Sequence, residues 1–229
     1  MSVTPLRIIF FGTPDFASAS LEAIVAAGLS VVCVVTAADK PAGRGQKISE
    51  SAVKKTALAL KIPILQPPNL KAPDFIETMS NYQADLGVVI AFRMLPEVVW
   101  SMPRLGTINL HGSLLPNYRG AAPIHHAIIN GESTTGVTTF FLKHEIDTGD
   151  IISSTEIAVS EEETVGELHD RMMVIGATLM VDTLRKIQNN EHQSHPQPNI
   201  TVVRSAPKLN REFCELNFDL NQEAFHNKL

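Results

Sequence analysis

Gly106-Thr107-Ile108-Asn109-Leu110-His111-Gly112-Ser113-Leu114-Leu115-Pro116-Asn117-Tyr118-Arg119-Gly120 changes character halfway along. Its first part reads as a strand, and strand side chains alternate between the two faces of a sheet. Asn109 and His111 are two apart, so an amide and an imidazole project from the same face. Gly112 and the Pro116 to Gly120 loop then end the strand. In an open parallel sheet, ligands bind beyond the carboxyl ends of the strands. A lone Asn-x-His in a strand is more often a satisfied structural pair. The loop behind it and a distant Asp147 weigh the other way.

Outward from this stretch, strands and helices alternate. Leu6 to Phe11 is a continuous apolar run, as expected of a strand covered on both faces. A helix over Phe16 to Ala27 follows, then a strand at Ser30 to Thr36 and a glycine-rich loop at Ala37 to Lys47. The spacing predicts helices at Ser49–Leu60 and Pro73–Asn81, with strands at Ile62–Leu65 and Asp85–Ala91. A helical turn at Pro96–Ser101 precedes the central strand, and a helix near Ala122–Ile129 follows it. Thr135–Leu142 and Ile151–Val159 read as two strands joined by one loop, a candidate antiparallel edge. A long helix over Glu163–Ile187 closes the pattern. This alternation is that of an α/β protein with a Rossmann-like, doubly wound, mostly parallel sheet. After Ile187 the chain turns polar and proline-punctuated, with a possible short strand at Ile200–Val203. Residues 1–188 are therefore expected to form the catalytic domain, and 189–229 a linker.

The 229 residues suffice for one good-sized domain with a proper core. Hydrophobic content of 44% and charged content of 19% describe an ordinary globular chain, without a membrane span or signal peptide. Cys33 lies in an apolar strand far from Cys214, so free thiols and a cytoplasmic setting are expected. The net charge of -5 argues against a generic nucleic-acid binder. Yet Lys40 to Lys71 holds seven basic residues and one acidic, a local positive face suited to a polyanion.

Several chemistries are disfavoured by the residues. Gly12-Thr13-Pro14-Asp15 stands where a dinucleotide fold keeps G-x-G-x-x-G, and Pro14 lacks an N–H for a pyrophosphate. Ser113 lacks a nucleophile elbow. His125 and His126 are adjacent and point apart on a helix; no metal site is expected. His144, His169, His192 and His195 lack partners at ligand spacing and read as surface residues. Asp147-Thr148-Gly149-Asp150 is ordinary turn chemistry by itself. Beside His111, though, Asp147 would orient the imidazole and favour its cationic, donating form. Asn109 and His111 would then stabilise a developing oxyanion, with Asp147 as proton relay.

These motifs together resemble the methionyl-tRNA formyltransferase family. The resemblance runs through Leu6 to Ala17, Lys40-Pro41-Ala42-Gly43-Arg44-Gly45, Asn109 to Pro116 and Tyr118 to Ile124. It continues through Gly131-Glu132, Thr135 to Thr138 and Asp147 to Asp150, in order along nearly the whole chain. Formyltransferases as a class share the Asn, the His, the Ser-Leu-Leu-Pro loop and the Asp. The Gly-Thr-Pro-Asp-Phe-Ala turn and the Pro-Ala-Gly-Arg-Gly loop point to the tRNA family specifically. Ala206 to Leu229 resembles that family's linker into the start of a C-terminal barrel domain, which the chain does not contain.

The resemblance implies transfer of the formyl group of 10-formyltetrahydrofolate to the α-amine of initiator methionyl-tRNA, in support of translation initiation. It assigns Asn109, His111 and Asp147 as catalytic. It assigns Ser113, Leu114, Leu115 and Pro116, with the segment Phe92, Arg93, Met94 and Leu95, to the folate site. Lys40, Gly43, Arg44, Gly45 and Lys47 would meet the tRNA, and a monomer without metal is expected. Two rivals stand beside it. A formyltransferase of a sugar-nucleotide amine keeps the three catalytic residues but has no use for the Lys40–Lys47 loop. A non-catalytic RNA- or nucleotide-binding module needs the basic segment alone.

Overall fold

A computed structural model of the chain describes residues 5–42, 47–216, 218, 219 and 221–228. The elements run β1 (Arg7–Gly12), α1 (Asp15–Ala26), β2 (Ser30–Val35), β3 (Lys40–Ala42), β4 (Lys47–Ser49) and α2 (Ala52–Ala59). Next come β5 (Ile64–Leu65), α3 (Pro73–Asn81), β6 (Leu86–Ile90), α4 (Glu97–Trp100), β7 (Thr107–His111) and β8 (Arg119–Gly120). The remainder is α5 (Pro123–Ile129), β9 (Thr134–Phe141), β10 (Ile151–Ala158), α6 (Val165–Gln188), β11 (Ser205–Ala206) and α7 (Gln222–His226).

Seven strands form one sheet in the order β10-β9-β7-β6-β1-β2-β5. β5, β2, β1, β6 and β7 pair in parallel, while β9 runs antiparallel to both β7 and β10. The expected antiparallel edge is thus β9 and β10. Strand β1 shows why its run is uniformly apolar. Ile8 and Phe10 enter the core on one face, with Leu21 and Ile24 of α1 and Leu168, Met172 and Met180 of α6. Ile9 and Phe11 enter the core on the other, with Phe75 and Met79 of α3 and Val99 of α4. A strand sandwiched between helical layers has no solvent face to reserve for polar residues.

The chain leaves β1 toward β2 and β5, then returns to place β6 and β7 on the opposite side of β1. That reversal opens a crevice at the carboxyl ends of β1 and β6, as doubly wound sheets do at their switch point. Helix α6 begins with a capping box: the Thr164 side chain accepts from the Glu167 N–H at 3.3 Å, and Glu167 accepts from the Thr164 N–H at 2.9 Å.

Two local expectations are corrected. The segment read as a glycine-rich loop carries backbone pairing on its flanks, β3 against β4, with Lys40 opposite Ser49 and Ala42 opposite Lys47. The late short strand is Ser205–Ala206, not Ile200–Val203, whose Val202 and Val203 are exposed. It pairs in parallel with Arg119–Gly120.

Candidate active site

The site is built on β7. Asn109 pairs across to Val89 on β6 and Phe140 on β9, and His111 stands opposite Thr138. Both side chains line a cavity of about 870 Å³ at the carboxyl ends of the strands, the size range of small-molecule sites. His111 is 6% exposed. Its Nε2 lies 2.7 Å from the carbonyl oxygen of Tyr118. A carbonyl only accepts, so Nε2 carries a proton and Nδ1 is the variable nitrogen. Nδ1 lies 3.8 Å from Oδ2 of Asp147. That is longer than a direct hydrogen bond and within reach of one bridging water.

Asp147 reaches this place from the loop between β9 and β10. Its backbone sits in the left-handed region, at φ 54°, a conformation that aspartate tolerates better than most residues. Its Oδ2 accepts from the Gly120 N–H at 2.9 Å. Gly120 itself lies at φ 125°, and a Cβ there would come within 2.4 Å of the Ala206 oxygen. Only glycine lets β8 pass close enough to β11 while aiming its N–H at the carboxylate. Two residues on, a Cβ on Gly149 would fall 1.5 Å from the Phe141 oxygen, so the turn after Asp147 also requires glycine.

Asn109 is half-buried, and its side-chain amide makes no hydrogen bond among the described residues. It faces the cavity with its donors free for a bound group. Phe92, Arg93, Met94 and Leu95 line the cavity as well. Within that segment the Arg93 guanidinium is already engaged, donating to the carbonyls of Pro67 at 2.5 Å and Pro68 at 3.0 Å. Leu95 is buried and Met94 is exposed.

The Ser113-Leu114-Leu115-Pro116 loop, expected at the folate site, follows directly on Gly112, which lines the cavity, while none of the four loop residues does so itself. Ser113 is fully buried, donates to the Asn117 carbonyl at 2.6 Å, and its own carbonyl accepts from Thr138. Leu115 packs with Phe140 and Ile151. The loop turns inward because it braces the strand end. On the far side of this loop in the chain, Gly120, Ala121, Ala122, Pro123, Ile124 and His125 line the cavity.

Sequence spacing also missed three cavity histidines. His144, exposed as expected, sits at the rim within 3.2 Å of Glu97. His169 lines the opposite end, its ring edge against Phe16. Partial desolvation at the cavity wall, with the charges of His126 and His169 nearby, holds His125 below the ordinary imidazole value. These residues come from α4, α5, α6 and the β9–β10 loop, so no spacing rule could have joined them. Among the described residues no group of His, Cys, Asp and Glu is arranged to hold a metal ion. Lys40 is exposed at the start of β3, and Lys47 opens β4. Gly43, Arg44 and Gly45 lie outside the described residues.

Comparison with known proteins fits this geometry to a family. The family model described as formyl transferase matches residues 6–184. The methionyl-tRNA formyltransferase of Flavobacterium johnsoniae is 53% identical over 97% of this chain and 70% of its own length. That of Bacteroides fragilis is 50% identical over 96% of this chain and 68% of its own. The chain belongs to the methionyl-tRNA formyltransferase family. The fold recurs in more distant formyltransferases. An N-formyltransferase from Helicobacter canadensis, crystallised with folinic acid and dTDP-3-aminofucose, superposes with a TM-score of 0.69 at 21% identity, over 97% of this chain and 79% of its own. Methionyl-tRNA formyltransferases thus share their sheet with enzymes of other acceptors, and the site residues must carry the distinction. Among the described residues of this family member, no helix is long and apolar enough to cross a membrane.

Proposed function

We propose that the protein transfers a formyl group from 10-formyltetrahydrofolate to the α-amino group of initiator methionyl-tRNA, as a monomer in the cytoplasm. One observation carries the reading: Asn109, His111 and Asp147, from two separate parts of the chain, meet at one cavity in a member of this family. The cavity fits an extended, partly aromatic donor, with Phe92, Trp100 and Leu142 along its apolar side.

The residues divide the chemistry. The neutral α-amine attacks the formyl carbon, and the carbonyl π electrons move onto oxygen. Asn109 donates an N–H to that oxygen, and His111 donates from Nδ1, since Nε2 is committed to Tyr118. The proton lost by the attacking nitrogen passes through the Asp147–His111 couple to the departing folate nitrogen. Collapse of the tetrahedral centre then breaks the carbon–nitrogen bond to the donor. What the protein supplies as one C–N bond forms and the other breaks is proton transfer and charge stabilisation, from groups already at the cavity.

Lys40, Gly43, Arg44, Gly45 and Lys47 belong in this reading to the contact with the tRNA acceptor end. Lys40 and Lys47 lie on the paired strands β3 and β4, and Arg44 is taken as the principal phosphate contact. Transfer of formyl from 10-formyltetrahydrofolate to charged initiator tRNA, run against an amino-sugar nucleotide, tests the assignment. Product on the tRNA alone supports it; product on the sugar nucleotide alone replaces it with the rival formyltransferase. Binding of RNA without transfer to either leaves the non-catalytic module.

A further inference from the structure

Gln197 lies in the polar, proline-flanked run after α6, and residues 193–196, 198 and 199 around it are exposed. Gln197 is half-buried between them, and all of its side-chain hydrogen-bonding capacity is used. Its Nε2 donates to the backbone carbonyls of Asp147 at 2.7 Å and Gly149 at 3.0 Å. Its Oε1 accepts from Arg119, from Nε at 3.1 Å and Nη2 at 2.5 Å. Arg119 directly precedes Gly120, whose N–H holds the Asp147 carboxylate. The contacts therefore form a closed ring: Asp147 carboxylate, Gly120, Arg119, Gln197, Asp147 backbone.

Flanking contacts hold this segment down on both sides. His195 pairs with Ile151 through mutual backbone hydrogen bonds of 2.8 and 3.0 Å. The Tyr118 N–H donates to the Arg204 carbonyl at 2.6 Å, and Ser205–Ala206 pairs with Arg119–Gly120. The Arg204 guanidinium meets Glu132 and the Tyr118 hydroxyl. Tyr118 is the residue whose carbonyl fixes His111. Both members of the proton-handling pair are thus braced from the same stretch of chain.

We propose that Gln197 is a positioning residue for the formyl-transfer reaction: it sets where the Asp147 carboxylate stands relative to Nδ1 of His111. On this view the catalytic unit does not end near 188 but runs through Ala206. The inference rests on the proposed role of Asp147. The side-chain requirement is specific, because two carbonyls on one side and a guanidinium on the other need a neutral amide. Ionised glutamate offers no donor to the carbonyls, and a methionine of similar length offers no donor and only a weak acceptor.

The test compares Q197M, Q197E, D147N and the Q197M/D147N pair in the full-length enzyme. Expected for Q197M and Q197E is a fall in kcat of roughly ten- to a hundredfold, the scale of a catalytic group displaced by about an ångström. KM for 10-formyltetrahydrofolate should stay within about twofold, since Gln197 does not line the cavity. In the D147N background Q197M should cost little more, because it acts through the group already lost. Parent-like kcat in Q197M, or a loss that multiplies fully onto D147N, overturns the proposal while leaving the active-site assignment standing. An active D147N removes the assignment itself. If Q197M does not fold, Q197E with the same two readouts decides between these outcomes.

Discussion

Nδ1 of His111 stands 3.8 Å from Oδ2 of Asp147 while Nε2 of the same ring is held by the Tyr118 carbonyl at 2.7 Å. One nitrogen is structural and the other faces the cavity, so the ring cannot turn over to exchange their roles without losing a buried hydrogen bond. Leaving a buried donor unpaired costs about 1–3 kcal/mol. His111→Ala is expected to lower turnover by roughly a hundredfold or more, the usual scale for general acid–base groups. A variant within a few-fold of the parent in formyl transfer would show that the imidazole is not part of the chemistry.

The cavity beside this pair is expected to take a folate and not a dinucleotide. Pro14 lines it with no N–H to offer, and the only glycine of that turn is Gly12. Calorimetric titration should show tetrahydrofolate analogues binding and NAD not. Tight NAD binding without any response to the analogues would reverse the assignment.

Arg44→Ala should weaken use of tRNA and leave folate affinity unchanged. The slope of log affinity against log salt should fall by about one phosphate contact. Arg44→Lys should restore function incompletely if the guanidinium grips phosphate with two prongs. Loss of folate affinity in Arg44→Ala would make the Lys40 to Lys47 segment structural and remove it from the RNA contact.

Cys33 is buried, and loss of solvation pushes its thiol up to about 12, against smaller opposing contacts from Tyr82 and the Val34 backbone. Cys214 is exposed. Iodoacetamide at neutral pH should therefore label Cys214 in the native protein and reach Cys33 only on unfolding. Peptide mapping that finds Cys33 modified first would contradict its burial.

Asp85 ties β1 to β6, accepting from the Arg7 N–H at 2.9 Å and from Arg104 Nε at 2.7 Å. Burial alone would raise its value, but these contacts outweigh burial and hold it below the ordinary 3.8. A depressed folded value means stability present above that ordinary value and lost as pH falls through the lower one. Asp85→Asn should lower Tm near neutral pH, and the gap to the parent should close as pH falls through and below the ordinary carboxylate range. A gap that stays constant across that range would remove the charge from the explanation.

The sequence alone determined what depends on short-range geometry. Strand alternation put Asn109 and His111 on one face, since their two-residue spacing repeats the pleat. The unbroken apolar run of β1 implied cover on both faces, and helices do bury Ile8 and Phe10 on one and Ile9 and Phe11 on the other. Residue chemistry offered Asp147 as a partner for His111 and the family motifs supported it, but spacing could not bring the two together. Tertiary structure decided the rest, because it concerns residues far apart in the chain. The closure of Asp147 on His111 spans two strands and a left-handed turn. Ser113 and Leu115 are held in place by Thr138, on another strand, which offers the Ser113 carbonyl a donor and the Leu115 N–H an acceptor. A two-residue strand such as Ser205–Ala206 has no period to read; it exists only because Arg119–Gly120 lies beside it. Gln197 looked like one polar residue among many, and only the packing of the segment gives its amide two carbonyls and a guanidinium to hold.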